Sequence, residues 1–164
     1  MHDKDSLIKV VLEGVRMEHP SHKPIILLKE ESGERFLPIW VGAFEASAIA
    51  LELVDFKTPR PMTHDLIIDI VKALDAQVDF IAVTNIIHET FYAVLSLINS
   101  AGETISIDLR PSDAVAIAVR SKCQIYASEF VLENAGLRIS SIEEEIEKFK
   151  DFLDHAEPED FEIK

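Results

Sequence analysis

The chain has a single cysteine, Cys123, in 164 residues. That excludes an internal disulfide and any zinc site built from several thiolates, and it fits a reducing compartment, so a cytoplasmic protein is expected. Arg120 and Lys122 just before Cys123 could lower its thiol pKa, but a small buried residue entering a strand is the plainer reading. Also missing is any apolar run near the ~20 residues needed to cross a bilayer. The opening Met1-His2-Asp3-Lys4-Asp5 lacks the apolar core of a secretion signal. Basic residues are scarce: 16 Lys and Arg face 30 Asp and Glu, for a net charge of −14. Such a deficit argues against broad, nonspecific binding to nucleic acid, so a polyanion would have to meet a local basic spot or bound cations. Residues 138–164 hold ten acids and four bases, yet residues 1–137 alone are still net −8.

With 48% hydrophobic content the chain can bury one substantial core or two small fused halves. Its most informative stretch is Ile105 to Arg120. Ile105, Ile107 and Leu109 alternate with Ser106 and Asp108 as in a half-buried strand. Arg110-Pro111 follows, and an Ala/Val/Ile helix starts at once, with Pro111 suited to the first helical position and Ser112 or Asp113 to capping. Asp108, Arg110, Ser112 and Asp113 therefore crowd a strand-to-helix corner where a positive dipole, carboxylates and a guanidinium meet.

A similar unit occurs earlier. Glu45-Ala46-x-Ala48-Ile49-Ala50 matches Asp113-Ala114-x-Ala116-Ile117-Ala118, with an acid opening each helix. Gly33-Glu34 and Gly102-Glu103 mark corresponding turns between strand-like runs. The reading is an α+β fold with a mostly antiparallel sheet and an internally duplicated strand-strand-strand-helix unit. Its two copies span about residues 6–55 and 76–122, joined by Phe56–Asp75. The tight loops imply antiparallel hairpins, and Gly136 suits the end of a short helix over Glu129–Ala135. In the acidic segment 138–164, Ile142, Ile146, Phe149 and Leu153 repeat at helical spacing, so a C-terminal amphipathic helix and tail are expected there.

The connector carries Pro59-Arg60-Pro61-Met62-Thr63-His64-Asp65. Two prolines hold Arg60 on an extended tether. Thr63 reads as the N-cap of a helix over His64–Leu74, which would leave His64 and Asp65 exposed at its first two positions. As structure this is a rigid linker and a capped helix; as chemistry, a guanidinium, an imidazole and a carboxylate suit phosphate binding and proton transfer. His19 and His22 have ligand-like spacing, but with no converging acid or cysteine they read as solvated turn residues.

The set Leu37-Pro38-Ile39-Trp40-Val41-Gly42, Glu45-Ala46, Pro59 to Leu66, Phe91-Tyr92-Ala93 and Asp108 to Ala114, in that order, resembles the bifunctional nuclease family. The resemblance covers roughly Val10 to Leu137 and implies a compact α+β domain over residues 1–137 that assembles as a homo-oligomer, a dimer being favoured. It also implies degradation of both RNA and DNA, as in plant members. The matching positions are Glu45, Arg60, His64, Asp65, Asp108, Arg110, Ser112 and Asp113. The family brings no agreed catalytic set, so the roles are inferred. His64, Asp65, Asp108, Arg110 and Asp113 are candidate catalytic groups, and Arg60, Arg110 and Ser112 candidate substrate ligands. Asp108, Asp113 and Glu45 are candidate oxygen donors to Mg²⁺ or Mn²⁺. The competing reading is a non-enzymatic oligomeric module that binds a ligand or protein, in which Arg–carboxylate pairs only hold the halves together.

Overall fold

The structure, a computed structural model, describes residues 7–138. The expected C-terminal amphipathic helix lies outside the described residues. Each half of the chain lays down three strands and then a helix: β1 (Leu7–Met17), β2 (Pro24–Glu30), β3 (Arg35–Trp40) and α1 (Ala43–Leu53), and later β4 (Gln77–Ile87), β5 (Thr90–Ile98), β6 (Thr104–Leu109) and α3 (Pro111–Ser121). Between them stands α2 (Thr63–Ala73), and β7 (Gln124–Ser128), α4 (Glu129–Ala135) and the two-residue β8 (Leu137–Arg138) close the described chain. The result is α+β, as expected.

All eight strands form one sheet in the order β6-β5-β4-β7-β1-β2-β3-β8. Every pairing is antiparallel except β4 with β7, where Ile81 lies opposite Ile125 and Val83 opposite Ala127. β7 thus sits between the two three-strand meanders. Alternation does its work along β5, where Ala93, Leu95 and Leu97 are buried, and along β2, where Ile26 and Leu28 are buried.

α3 packs on β4 and β5 and touches both α1 and α2. Residues Ala114 to Ala118 are all buried, and the helix is apolar around most of its circumference because neighbours cover most of it. Its alanines let α1 and α2 approach closely. β6 lies at the sheet edge, with every residue from Thr104 to Asp108 exposed. Gly136 does follow α4, but in extended rather than left-handed conformation. A Cβ there would collide with the Leu132 carbonyl, so the position needs a missing side chain rather than an unusual φ.

Candidate functional site

The corner between β6 and α3 begins with Arg110, the N-cap in extended conformation, followed by Pro111 at the first helical position. Arg110 turns back over its own helix. Its Nε donates to Asp113 Oδ2 at 2.7 Å and its Nη2 to Asp113 Oδ1 at 3.1 Å, a two-pronged grip. Its Nη1 reaches Glu45 Oε1 in the first turn of α1 at 3.0 Å. The fourth member comes from the connector: His64 Nε2 lies 2.9 Å from Asp113 Oδ1. Glu45, His64, Arg110 and Asp113 therefore form one contiguous polar cluster.

Why His64 arrives there follows from a correction to the expected start of α2. Thr63 is not the N-cap. Met62 is, and Asp65 at the third helical position accepts from the Met62 N–H at 2.9 Å through Oδ2. This moves His64 to the second helical position and turns it inward; it is 8% exposed rather than open beside the cap. Asp65 Oδ1 takes Arg120 Nε at 2.7 Å. Arg120 also donates to the Ala116 carbonyl of α3 at 2.9 Å and the Ala48 carbonyl of α1 at 3.0 Å, so one guanidinium ties three helices together. Sequence reasoning missed Arg120 as a positioning residue. Its one signal is a charge in the last turn of an otherwise apolar helix.

The cluster borders an open recess of about 490 Å³ lined by Phe44, Glu45, Met62, His64, Arg110 and Asp113 among others. The first turns of α1, α2 and α3 all contribute to its wall, so three positive helix ends converge there. Burial by itself would raise the Asp113 carboxyl, but the hydrogen bonds from Arg110 and His64 together outweigh it and hold the group below the ordinary range. Arg110 is pushed up by Asp113 and then by Glu45. An ionised Asp113 accepts, so His64 Nε2 is the donor of this bond, and in the neutral ring Nδ1 is the acceptor.

A second, smaller recess of about 240 Å³ lies on the other side of Met62, which lines both. Arg60, Asp65 and Arg120 line this one. The Asp65 carboxyl is held low, first by the Met62 N–H and then by Arg120. Asp108 lines neither recess and its side chain makes no hydrogen bond or ion pair among the described residues; Ser112 is buried and also lines neither. The eight sequence candidates thus divide: four meet, two stand in the neighbouring recess and two lie apart.

This donor set does not fit a divalent cation. Among the described residues no three His, Cys, Asp or Glu side chains are grouped to hold one. Arg110 stands between Glu45 and Asp113 as a fixed positive charge, and Asp108 is exposed on β6 and does not line the recess. Among the described residues no helix is long and apolar enough to cross a membrane.

A model of the bifunctional nuclease domain matches residues 26–140. An uncharacterized protein of Mycobacterium tuberculosis is 43% identical over 163 residues, which cover 93% of this chain and 97% of that relative. Bifunctional nuclease 1 of Oryza sativa subsp. japonica is 31% identical over 120 residues, covering 72% of this chain and 36% of its own length. Bifunctional nuclease 1 of Arabidopsis thaliana is 30% identical over 124 residues, covering 74% of this chain and 38% of its own.

Proposed function

The chain belongs to the bifunctional nuclease family, and from that premise we propose that it hydrolyses phosphodiester bonds of RNA and DNA in the recess where His64, Asp113, Arg110 and Glu45 meet. The observation that carries the reading is the His64–Asp113–Arg110 chain of hydrogen bonds at an open mouth. Asp113 fixes the imidazole so that Nδ1 is the free base, able to take a proton from the attacking water or from a ribose hydroxyl. Arg110 has a side chain 64% exposed. Exchanging a solvent-screened Glu45 contact for a phosphate oxygen costs it little, and it then neutralises charge building on the phosphorus oxygens. The leaving oxygen draws its proton from solvent at the mouth. No metal step is invoked, because the carboxylates nearest the recess are spent on Arg110.

The test is degradation of single-stranded RNA and DNA by highly purified protein in Mg²⁺, Mn²⁺ or EDTA. Wild-type cleavage is expected to persist in EDTA. His64→Ala and Arg110→Ala are expected to lose roughly 10²- to 10³-fold. Residual activity equal in wild type and variants would mean a contaminating nuclease and would sink the reading.

The full engagement of Arg110 by two acids, in a chain of net charge −14, favours a second reading: a non-enzymatic oligomeric module that binds a ligand or protein. It predicts no cleavage from any preparation. Under either reading we infer a cytoplasmic homodimer. The lone cysteine supports the compartment. The edge strand β6 supports the assembly, because it presents Ile105 and Ile107 to solvent with one side unpaired among the described residues. Ile107→Lys should shift sedimentation toward monomer; an unchanged profile would place the contact elsewhere.

A further inference from the structure

The geometry points to a nucleotide subsite in the recess on the far side of Met62, where a base stacks on Phe56 and its phosphate lies between Arg60 and Lys57. This rests on the phosphodiesterase reading for its substrate class and adds to it where the neighbouring nucleotide sits.

Three observations carry it. The first is local charge. Lys57, Arg60 and Arg120 line this recess with Glu52 and Asp65, and Asp55 pairs with Lys57, so three cations meet three acids in a chain of net −14. The recess beside Arg110 is net negative by comparison, since one guanidinium there meets two carboxylates. An approaching polyanion therefore meets less repulsion at Arg60 than at the reacting groups.

The second is the availability of those cations. Arg120 is locked between helices. Arg60 is not: its side chain makes no hydrogen bond or ion pair among the described residues, while Pro59 and Pro61 and a 2.7 Å bond from Thr58 Oγ1 to its carbonyl fix its backbone. The tether is ordered and the head is free. Lys57 pairs with Asp55 at 2.8 Å, but both side chains are mostly exposed, so the pair yields readily to a phosphate.

The third is the apolar wall. Phe56 lines the same recess and is 57% exposed. An aromatic face beside an unspent guanidinium is what a base and its phosphate require, and it tolerates any sequence because every base has a π-face. Met62 lines both recesses, so a strand crossing it places one phosphate at Arg110 and a neighbouring nucleotide on Phe56.

The experiment compares wild type, Phe56→Ala, Phe56→Tyr and Arg60→Ala in two measurements. Anisotropy of a fluorescein-labelled twelve-nucleotide single strand reports binding. The ratio of kcat/KM for that oligonucleotide to kcat/KM for bis(p-nitrophenyl) phosphate reports use of a second nucleotide. Phe56→Ala should weaken binding and lower the ratio by roughly 10-fold, within the range of one lost stacking contact, with Phe56→Tyr restoring both. Arg60→Ala should reduce the slope of log K against log salt by about 0.7, one phosphate contact on a single strand. Binding by wild type that is equal in Phe56→Ala overturns the subsite, as does absence of binding by wild type. If wild type binds in a Phe56-dependent way but cleaves neither substrate, the subsite stands and hydrolysis falls. If it cleaves both with the ratio unmoved in Phe56→Ala, hydrolysis stands and the subsite falls.

Discussion

Arg110 and Arg120 stand at the two ends of α3 and both grip aspartates, yet they do opposite things. Arg120 has a side chain 7% exposed and satisfies its donors with Asp65 and two helix carbonyls. Arg110 has a side chain 64% exposed, and among the described residues its side-chain partners are carboxylates at the edge of a recess. A guanidinium surrounded by its own fold cannot change partner without leaving buried groups unpaired. One at a mouth can trade a carboxylate for a phosphate of similar geometry. Arginine near carboxylate is therefore no guide to role until burial is known.

The comparison breaks most visibly in stability. Arg120→Ala should cost roughly 2–4 kcal/mol in urea unfolding, because it strands Asp65 and frees the start of α2. Arg110→Ala should stay within about 1 kcal/mol, as befits a solvent-screened pair. Equal losses would erase the distinction. Arg120→Lys sharpens it further: a point charge cannot serve a carboxylate and two carbonyls at once, so about half of the alanine penalty should persist.

Next in size is the acid limb. Asp65 and Asp113 both have lowered folded-state values, as do Glu30 and Glu129 on either side of Arg35. A depressed carboxyl contributes stability at neutral pH that starts to fade near its unfolded value, about 4, and is gone once pH drops below the folded one. Stability should therefore fall from about pH 4 downward. Asp65→Asn should make that limb shallower, and a limb as steep as wild type would show that Asp65 adds nothing to it. The smallest expected effect is at Thr63. Because Met62 caps α2, Thr63→Ala should change the melting temperature by no more than a degree or two, whereas loss of a true N-cap would cost about 1 kcal/mol.

Much of this could be read from the residues. The corner from Arg110 to Asp113 and the acid at the start of α1 were legible because proline, capping and apolar periodicity act within a few positions. The strands were legible from alternation. The pairing of His64 with Asp113 was not, since 49 residues separate them and only the packing of α2 on α3 joins them. Asp108 misled for the converse reason. It is near Arg110 in sequence, but it belongs to an exposed edge strand and its side chain finds no partner among the described residues, whereas Arg110 caps α3 and turns back onto Asp113. Asp65 was legible as an acid in a first turn, but not that Arg120 would claim it. β8, at two residues, is too short to leave a pattern.

α2 belongs to neither set of three strands and a helix, yet it delivers both His64 and Asp65. His64 therefore rides on the splice between two halves, where insertions and swaps disturb the sheet least. A relative with the same sheet and a different splice would keep its shape and lose this imidazole, so shared architecture alone is a poor forecast of shared chemistry in proteins built this way.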